Sequence, residues 1–225
     1  MLLNEFDKSK GFSAYVKEDE TKILIFLNKH CSEIMSLYRE YGKVLYRGIT
    51  RYFGSNIYNF KDGDVFFGKS PSDRHPIDIP SSVQKQIDSK LQKSGFEALR
   101  SNSIFCCSSK LSAQKYGDLH IIFPLDGFSY TWCNTAIDLY DEYVRALTPT
   151  PWGETPSQED INKAEIFKEN LYKLSSTDFI RDYGFKNTDL THAIIRNNEI
   201  LIHGDYIAMS EKLGNKIIFS NRRSI

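Results

Sequence analysis

Ala193-Ile-Ile-Arg196, Glu199-Ile-Leu-Ile-His203, Tyr206-Ile-Ala-Met209 and Lys216-Ile-Ile-Phe-Ser220 are four short apolar runs that follow one another near the C-terminus. Runs rich in β-branched side chains and bounded by polar residues suit a pleated, half-buried surface, so all four are expected as strands. Gly214-Asn215 reads as the turn before the last of them. Upstream the period changes. Ile34, Leu37, Tyr38 and Tyr41 share one helical face, and Gly42 is placed to end that helix. Ser81 or Ser82 is expected to cap a helix carrying Val83, Ile87 and Leu91. Ile137, Tyr140, Val144 and Leu147 form another apolar stripe, and Thr148 to Gly153 breaks it. Thr155-Pro156-Ser157-Gln158 reads as a capping box that opens a helix with Ile161, Ala164, Phe167, Leu171 and Leu174 on one face. Val44–Ile49, Ser103–Cys107 and Leu119–Phe123 read as strands, and Lys110–Tyr116 as a short helix closed by Gly117. For Ile23–Leu27 periodicity leaves helix and strand both open. Helices early and midway, with strands concentrated late, point to an α+β fold rather than regular βαβ alternation.

The chain has 225 residues, 40% hydrophobic and 26% charged, which is the composition of a folded soluble domain. It shows no repeat, low-complexity block or long linker, so one domain over 1–225 is expected. Lys+Arg and Asp+Glu both number 29, giving a net charge of zero. A protein that holds duplex DNA by counterion release should be basic, so dedicated duplex DNA binding is not expected. No apolar run approaches the ~18–20 residues of a membrane span, and Met1 to Phe12 lacks a secretory pattern. A cytoplasmic protein with no membrane partner follows as the expectation. Cys31, Cys106, Cys107 and Cys133 make no metal-ligand spacing and read as reduced thiols.

One motif is set aside on its context. Gly63-Asp-Val-Phe-Phe-Gly68-Lys69-Ser70 matches a phosphate-binding loop, which requires a helix directly after it. Pro71 and Pro76 would stop such a helix within about one turn. The loop interior is also bulky. A surface turn with an apolar strand inside it is the expected structure.

Three further segments carry chemistry. They are Leu45-Tyr46-Arg47-Gly48, then Phe105-Cys-Cys-Ser108-Ser109 with Ala113 and Tyr116 behind it, and then Asn197-Asn-Glu199-Ile-Leu-Ile202. Together and in this order they resemble the ADP-ribosyltransferase superfamily, in its arginine–serine–glutamate, cholera-toxin-like branch. The chain is also similar to a group of tailed-phage proteins. There Arg74-His-Pro-Ile-Asp78-Ile-Pro80 precedes Ser101-Asn-Ser-Ile-Phe105, Ala113-Gln-Lys-Tyr116-Gly117 and Ile122-Phe-Pro124. The resemblance spans about residues 44–209. It implies two packed, twisted sheets forming an NAD cleft, with a helical flank over about 1–43 and a catalytic core over about 44–220. It also implies a phage-encoded transferase that uses NAD as substrate, needs no metal, and modifies a host protein or nucleic acid in the host cytoplasm.

The chemistry explains the residue types. Breaking the nicotinamide–ribose bond passes through an oxocarbenium-like transition state. A carboxylate beside the ribose binds that state better than the ground state, and Glu199 is the candidate. A guanidinium offers the pyrophosphate a permanently charged fork, the role expected of Arg47, with Arg74 as a further cofactor contact. Gly48 allows the backbone to approach the nicotinamide amide. Ser108, with Ser109 next, is expected to orient the glutamate and the ribose, and Tyr116 to pack on the nicotinamide ring. Two departures bear on the outcome. Cys106 and Cys107 stand where serine or threonine is usual. Asn197 stands where arginine-modifying members carry Glu or Gln, and an amide takes no proton at neutral pH. Arginine is therefore doubtful as the acceptor. NAD hydrolysis without an acceptor and a catalytically silent phage structural or host-binding module remain the alternatives.

Overall fold

The computed structural model describes residues 14–16, 19–49, 65–75, 79–139, 143 and 156–220. The chain divides into two compact units, each assembled from separate stretches. The first comprises Met1–Ser70, Cys106–Phe128 and Gly204–Ile225, and the second Pro71–Phe105 and Ser129–His203.

The first unit is built on a five-stranded sheet in the order β1-β3-β9-β5-β2. Its strands are β1 (Ala14–Val16), β2 (Leu45–Ile49), β3 (Val65–Lys69), β5 (Asp118–Pro124) and β9 (Asp205–Ser210). All pairings in it are antiparallel, with Arg47 opposite His120 and Ile121 opposite Met209. Helices α1 (Glu20–His30), α2 (Ser32–Tyr41), α4 (Lys110–Gln114) and α8 (Glu211–Ser220) belong to it. Ile23 and Leu27 of α1, Val65, Ile121, Ile207 and Met209 of the sheet, and Ile217 and Ile218 of α8 are buried, as are Leu45 and Ile122 on the other face of the sheet. The ambiguous Ile23–Leu27 run is thus helical. Asp19 caps α1 through Thr21 N–H at 2.9 Å.

The second unit holds a four-stranded sheet in the order β4-β8-β6-β7, from β4 (Ile104–Cys106), β6 (Ser129–Cys133), β7 (Phe185–Lys186) and β8 (Ile200–His203). Helices α3 (Ser81–Lys93), α5 (Gln158–Lys173), α6 (Ser176–Asp182) and α7 (Leu190–Ile195) complete it. Its core is aromatic. Phe167 meets Tyr183 edge-on with ring centroids 5.0 Å apart, and Phe179 lies 4.7 Å from Tyr183 and 5.8 Å from Phe185. Val83, Ile87 and Leu91 of α3 pack on this cluster. An α+β class with two sheets is what these elements form.

Several local expectations change. Lys216–Ser220 is the end of α8, not a strand, and Gly214 lies inside the helix rather than in a turn. Leu213, Ile217 and Ile218 recur at helical spacing and are buried. A Cβ on Gly214 would stand 2.7 Å from the Ile121 side chain, so the glycine lets α8 lie close on β5. Ala193–Arg196 is likewise helical: Asp189 caps α7 through His192 N–H at 3.2 Å, and that cap overrides the β-branched run. The residue before α3 is Pro80, so neither Ser81 nor Ser82 is its N-cap. The capping box of α5 sits on Ser157 and Asp160, downstream of the expected start. Thr155 and the Thr148–Gly153 break lie outside the described residues. So do Tyr140, Val144 and Leu147, while Ile137 is 60% exposed in a bend. The rejected phosphate-loop match contains an apolar strand as expected, β3, which is buried and lies between β1 and β9, while Gly63 and Asp64 lie outside the described residues. Ser70 there is tied by its backbone and hydroxyl to Gly204, and residues 71–75 form no helix.

Helix α2 shows a cap supplied from far along the chain. Its N-cap Cys31 makes no side-chain capping bond, and instead the Asp126 carboxylate accepts Ser32 N–H, Glu33 N–H and the Ser32 hydroxyl at 3.0, 3.0 and 2.7 Å. Burial raises this carboxyl, but the hydrogen bonds outweigh it and hold it below its ordinary value. Asp126→Ala is expected to cost about 1–2 kcal/mol in denaturant unfolding at neutral pH. A group lowered in the folded state contributes above its unfolded value of ~3.9 and loses that contribution as pH falls through the folded value. The difference between wild type and variant should therefore vanish in strong acid.

Candidate functional site

The residues singled out by sequence fall into two groups, one in each unit. Arg47, Gly48, Ser108, Ser109 and Tyr116 belong to the first unit, and Arg74 and Glu199 to the second.

In the first group the backbone is joined by a short bridge. Tyr46 N–H donates to Cys107 O at 2.6 Å and Cys107 N–H to Tyr46 O at 3.0 Å, so Arg47 and Ser108 each follow a residue of the same bridge. Arg47 is half-buried on β2, and among the described residues its Nη1 is buried with no hydrogen-bond partner. A buried guanidinium nitrogen without an acceptor is costly unless a ligand supplies one, and an anion is the natural choice. Burial chiefly lowers the pKa of His120, which faces Arg47 across the strands, and the guanidinium lowers it further. The ring Nδ1 lies 2.9 Å from Asp118 O. Burial pushes the Cys106 thiol up to about 12 although Arg47 pulls it down, so this thiol stays protonated and is no nucleophile. All four cysteines are free.

Ser109, not Ser108, caps α4, accepting Ser112 N–H at 3.2 Å and the Ser112 hydroxyl at 3.0 Å. Ser108 is buried beside it. Tyr116 is 44% exposed. Gly48 has a structural reason to be glycine: a Cβ would fall 2.0 Å from Ala113 O and 2.8–2.9 Å from the backbone of Tyr116 and Gly117. The end of α4 occupies the space that any side chain would need.

In the second group Glu199 immediately precedes β8. Its N–H donates to Ile137 O at 2.6 Å, Asn197 before it adopts φ 59°, and buried Asn198 donates to Cys133 O at 2.8 Å and Ala136 O at 2.7 Å. The backbone that carries the carboxylate is thereby clamped. The side chain is 19% exposed and accepts Arg100 Nη1 at 2.8 Å. Burial raises its carboxyl above the usual range, Arg100 and Arg74 draw it back, and Asp138 adds to the rise. Arg74 donates its backbone N–H to Ser101 O at 2.6 Å, and its guanidinium carbon lies 3.9 Å from the Phe105 ring centroid. Asp78, the acidic residue nearest Arg74 within the same motif, lies outside the described residues.

Sequence reasoning missed Arg100. Nothing in Ala98-Leu99-Arg100-Ser101 marks it, because its role depends on Glu199, 99 residues away. Among the described residues no cluster of His, Cys, Asp and Glu could hold a metal ion, and no helix is long and apolar enough to cross a membrane. No protein-family model, curated protein or solved structure matches the chain.

Proposed function

We propose that this chain is an NAD-dependent ADP-ribosyltransferase. The observation that supports it best is a half-buried carboxylate, Glu199, clamped by its backbone at the start of a strand. The unsatisfied Arg47 nitrogen adds to it. In this reading Glu199 accepts a hydrogen bond from the ribose 2′-hydroxyl of NAD, and Arg47 offers its free nitrogen to an anion. The glycosidic C–N bond breaks and its electron pair leaves with nicotinamide, which becomes neutral. Glu199 stabilises the positive charge on the ribose. The acceptor's nucleophile then bonds to the anomeric carbon and gives up its proton.

The acceptor is a host protein side chain other than arginine, or a nucleic-acid base. Asn197 favours this choice, because it brings no carboxylate to pair with a guanidinium. For the same reason water is the second candidate, which would make the protein an NAD glycohydrolase. The test is incubation with labelled NAD and host lysate, following both transferred label and free nicotinamide. Label in a macromolecule supports transfer, whereas nicotinamide without label supports hydrolysis. If calorimetry finds no NAD binding and no nicotinamide is released, the reading fails and a silent binding module remains.

A pH prediction belongs to the same reading. Only ionised Glu199 stabilises the cation, and burial raises its carboxyl. The rate should fall on the acid side with a midpoint above the ~4.3 of an ordinary glutamate. A profile flat down to that value would count against Glu199.

A further inference from the structure

We infer that Arg100 is the positioning residue for Glu199, fixing the direction of its carboxylate. The inference rests on the function proposed above for Glu199, and deepens it.

Arg100 is 5% exposed and is itself held at its peptide and at its guanidinium. Its backbone N–H donates to Asp88 Oδ1 at 2.8 Å, and the next N–H, of Ser101, to Asp88 Oδ2 at 3.0 Å. Asp88 is buried on α3, so a helix carboxylate grips the peptide that carries the guanidinium. The guanidinium carbon stands 4.7 Å from the Phe105 ring centroid, which limits its swing. From that fixed base Nη1 reaches Glu199 Oε1 at 2.8 Å.

A hydrogen bond to its tip restricts a long carboxylate side chain beyond what burial does. The clamps on Asn198 and on Glu199 N–H fix the backbone alone, and Arg100 supplies the hold on the tip. Among the described residues, the charged and titratable groups facing Glu199 include Arg100, Arg74 near Phe105, Asp138 after β6, and the Cys133 thiol at the end of β6. Arg100 is hydrogen-bonded to the carboxylate, and it acts against the burial that favours the neutral acid.

The test is a ¹³C carboxyl titration of the full chain, with the Glu199 signal assigned by its loss in Glu199→Gln, alongside steady-state NAD turnover. In Arg100→Gln the Glu199 midpoint should move up by about one pH unit or more. The acid limb of turnover should move with it, and kcat at neutral pH should drop at least ~10-fold with KM for NAD little changed. Arg100→Lys keeps the charge but not the planar fork. It should leave the acid limb near that of wild type and lower kcat several-fold. An unmoved midpoint in folded Arg100→Gln overturns the inference. So does wild-type kcat in Arg100→Lys, which covers the case in which the Gln variant does not fold. Absence of NAD turnover in the wild type overturns the transferase reading alone, since the midpoint still decides what Arg100 does to Glu199.

Discussion

Glu199→Gln should lower NAD-dependent labelling and nicotinamide release by at least ~10²-fold, the usual loss when one stabiliser of transition-state charge is removed. The substitution keeps the side chain's shape and still offers Arg100 Nη1 an oxygen in place of the bond it makes at 2.8 Å. It removes only the negative charge that would oppose the ribosyl cation. KM for NAD should change little, because the charge matters most once the glycosidic bond is breaking. Stability needs to be measured in parallel. Arg100 is 5% exposed, and loss of its ionic partner leaves a buried cation uncompensated. A folded Glu199→Gln protein that labels as fast as wild type would remove Glu199 from the mechanism. Glu199→Ala provides the harsher comparison, since it loses the hydrogen bond as well as the charge.

Gly48→Ala should produce the largest loss of stability of any single methyl addition in the first unit. The new Cβ would lie 2.0 Å from the carbonyl oxygen of Ala113, and 2.8 and 2.9 Å from backbone atoms of Tyr116 and Gly117. None of these is the tip of a flexible side chain, so relief requires the end of α4 to move away from β2. Overpacking of this kind costs about 3 kcal/mol, or a fall in Tm of roughly 6–12 °C for a chain of this size. The adjoining Arg47 and the exposed Tyr116 ring would shift with the two elements, so NAD binding measured by calorimetry should weaken too. An unchanged Tm in the Gly48→Ala variant would mean that α4 does not sit against Gly48. The glycine would then be explained by ligand approach alone.

The β2 strand, the strand before Ser108, the short α4 helix and the strand after Glu199 were legible because each is a local pattern. Their alternation, Gly and Ser boundaries, and apolar runs act within a few residues. Expectations failed where a local pattern suited two structures. Ala193–Arg196 and Lys216–Ser220 are runs of β-branched and aromatic side chains that could be paired as strands. An Asp189 cap and the packing of Leu213, Ile217 and Ile218 settle them as helices. Strands β6 and β7 were missed because their signal is their partners: Tyr130 opposite Ile202, and Cys133 opposite Phe185. The candidate site divides in the same way. Arg47, Ser108 and Glu199 were reached through short motifs, whereas Arg100 could be found only in space.

By itself the sequence determined a chain of zero net charge and α+β class, an apolar run whose following prolines exclude a phosphate loop, a carboxylate just before one strand and a guanidinium within another. These depend on composition and on neighbours within one helical turn or one pleat. The tertiary structure decided how those groups are held. It set Asp126 on the start of α2, the end of α4 against Gly48, Asp88 on the Arg100 peptide, and Arg100 on Glu199. Each of these joins residues from separate elements. Such contacts form only when burial of the two cores has brought distant stretches of chain together, and no local pattern encodes them.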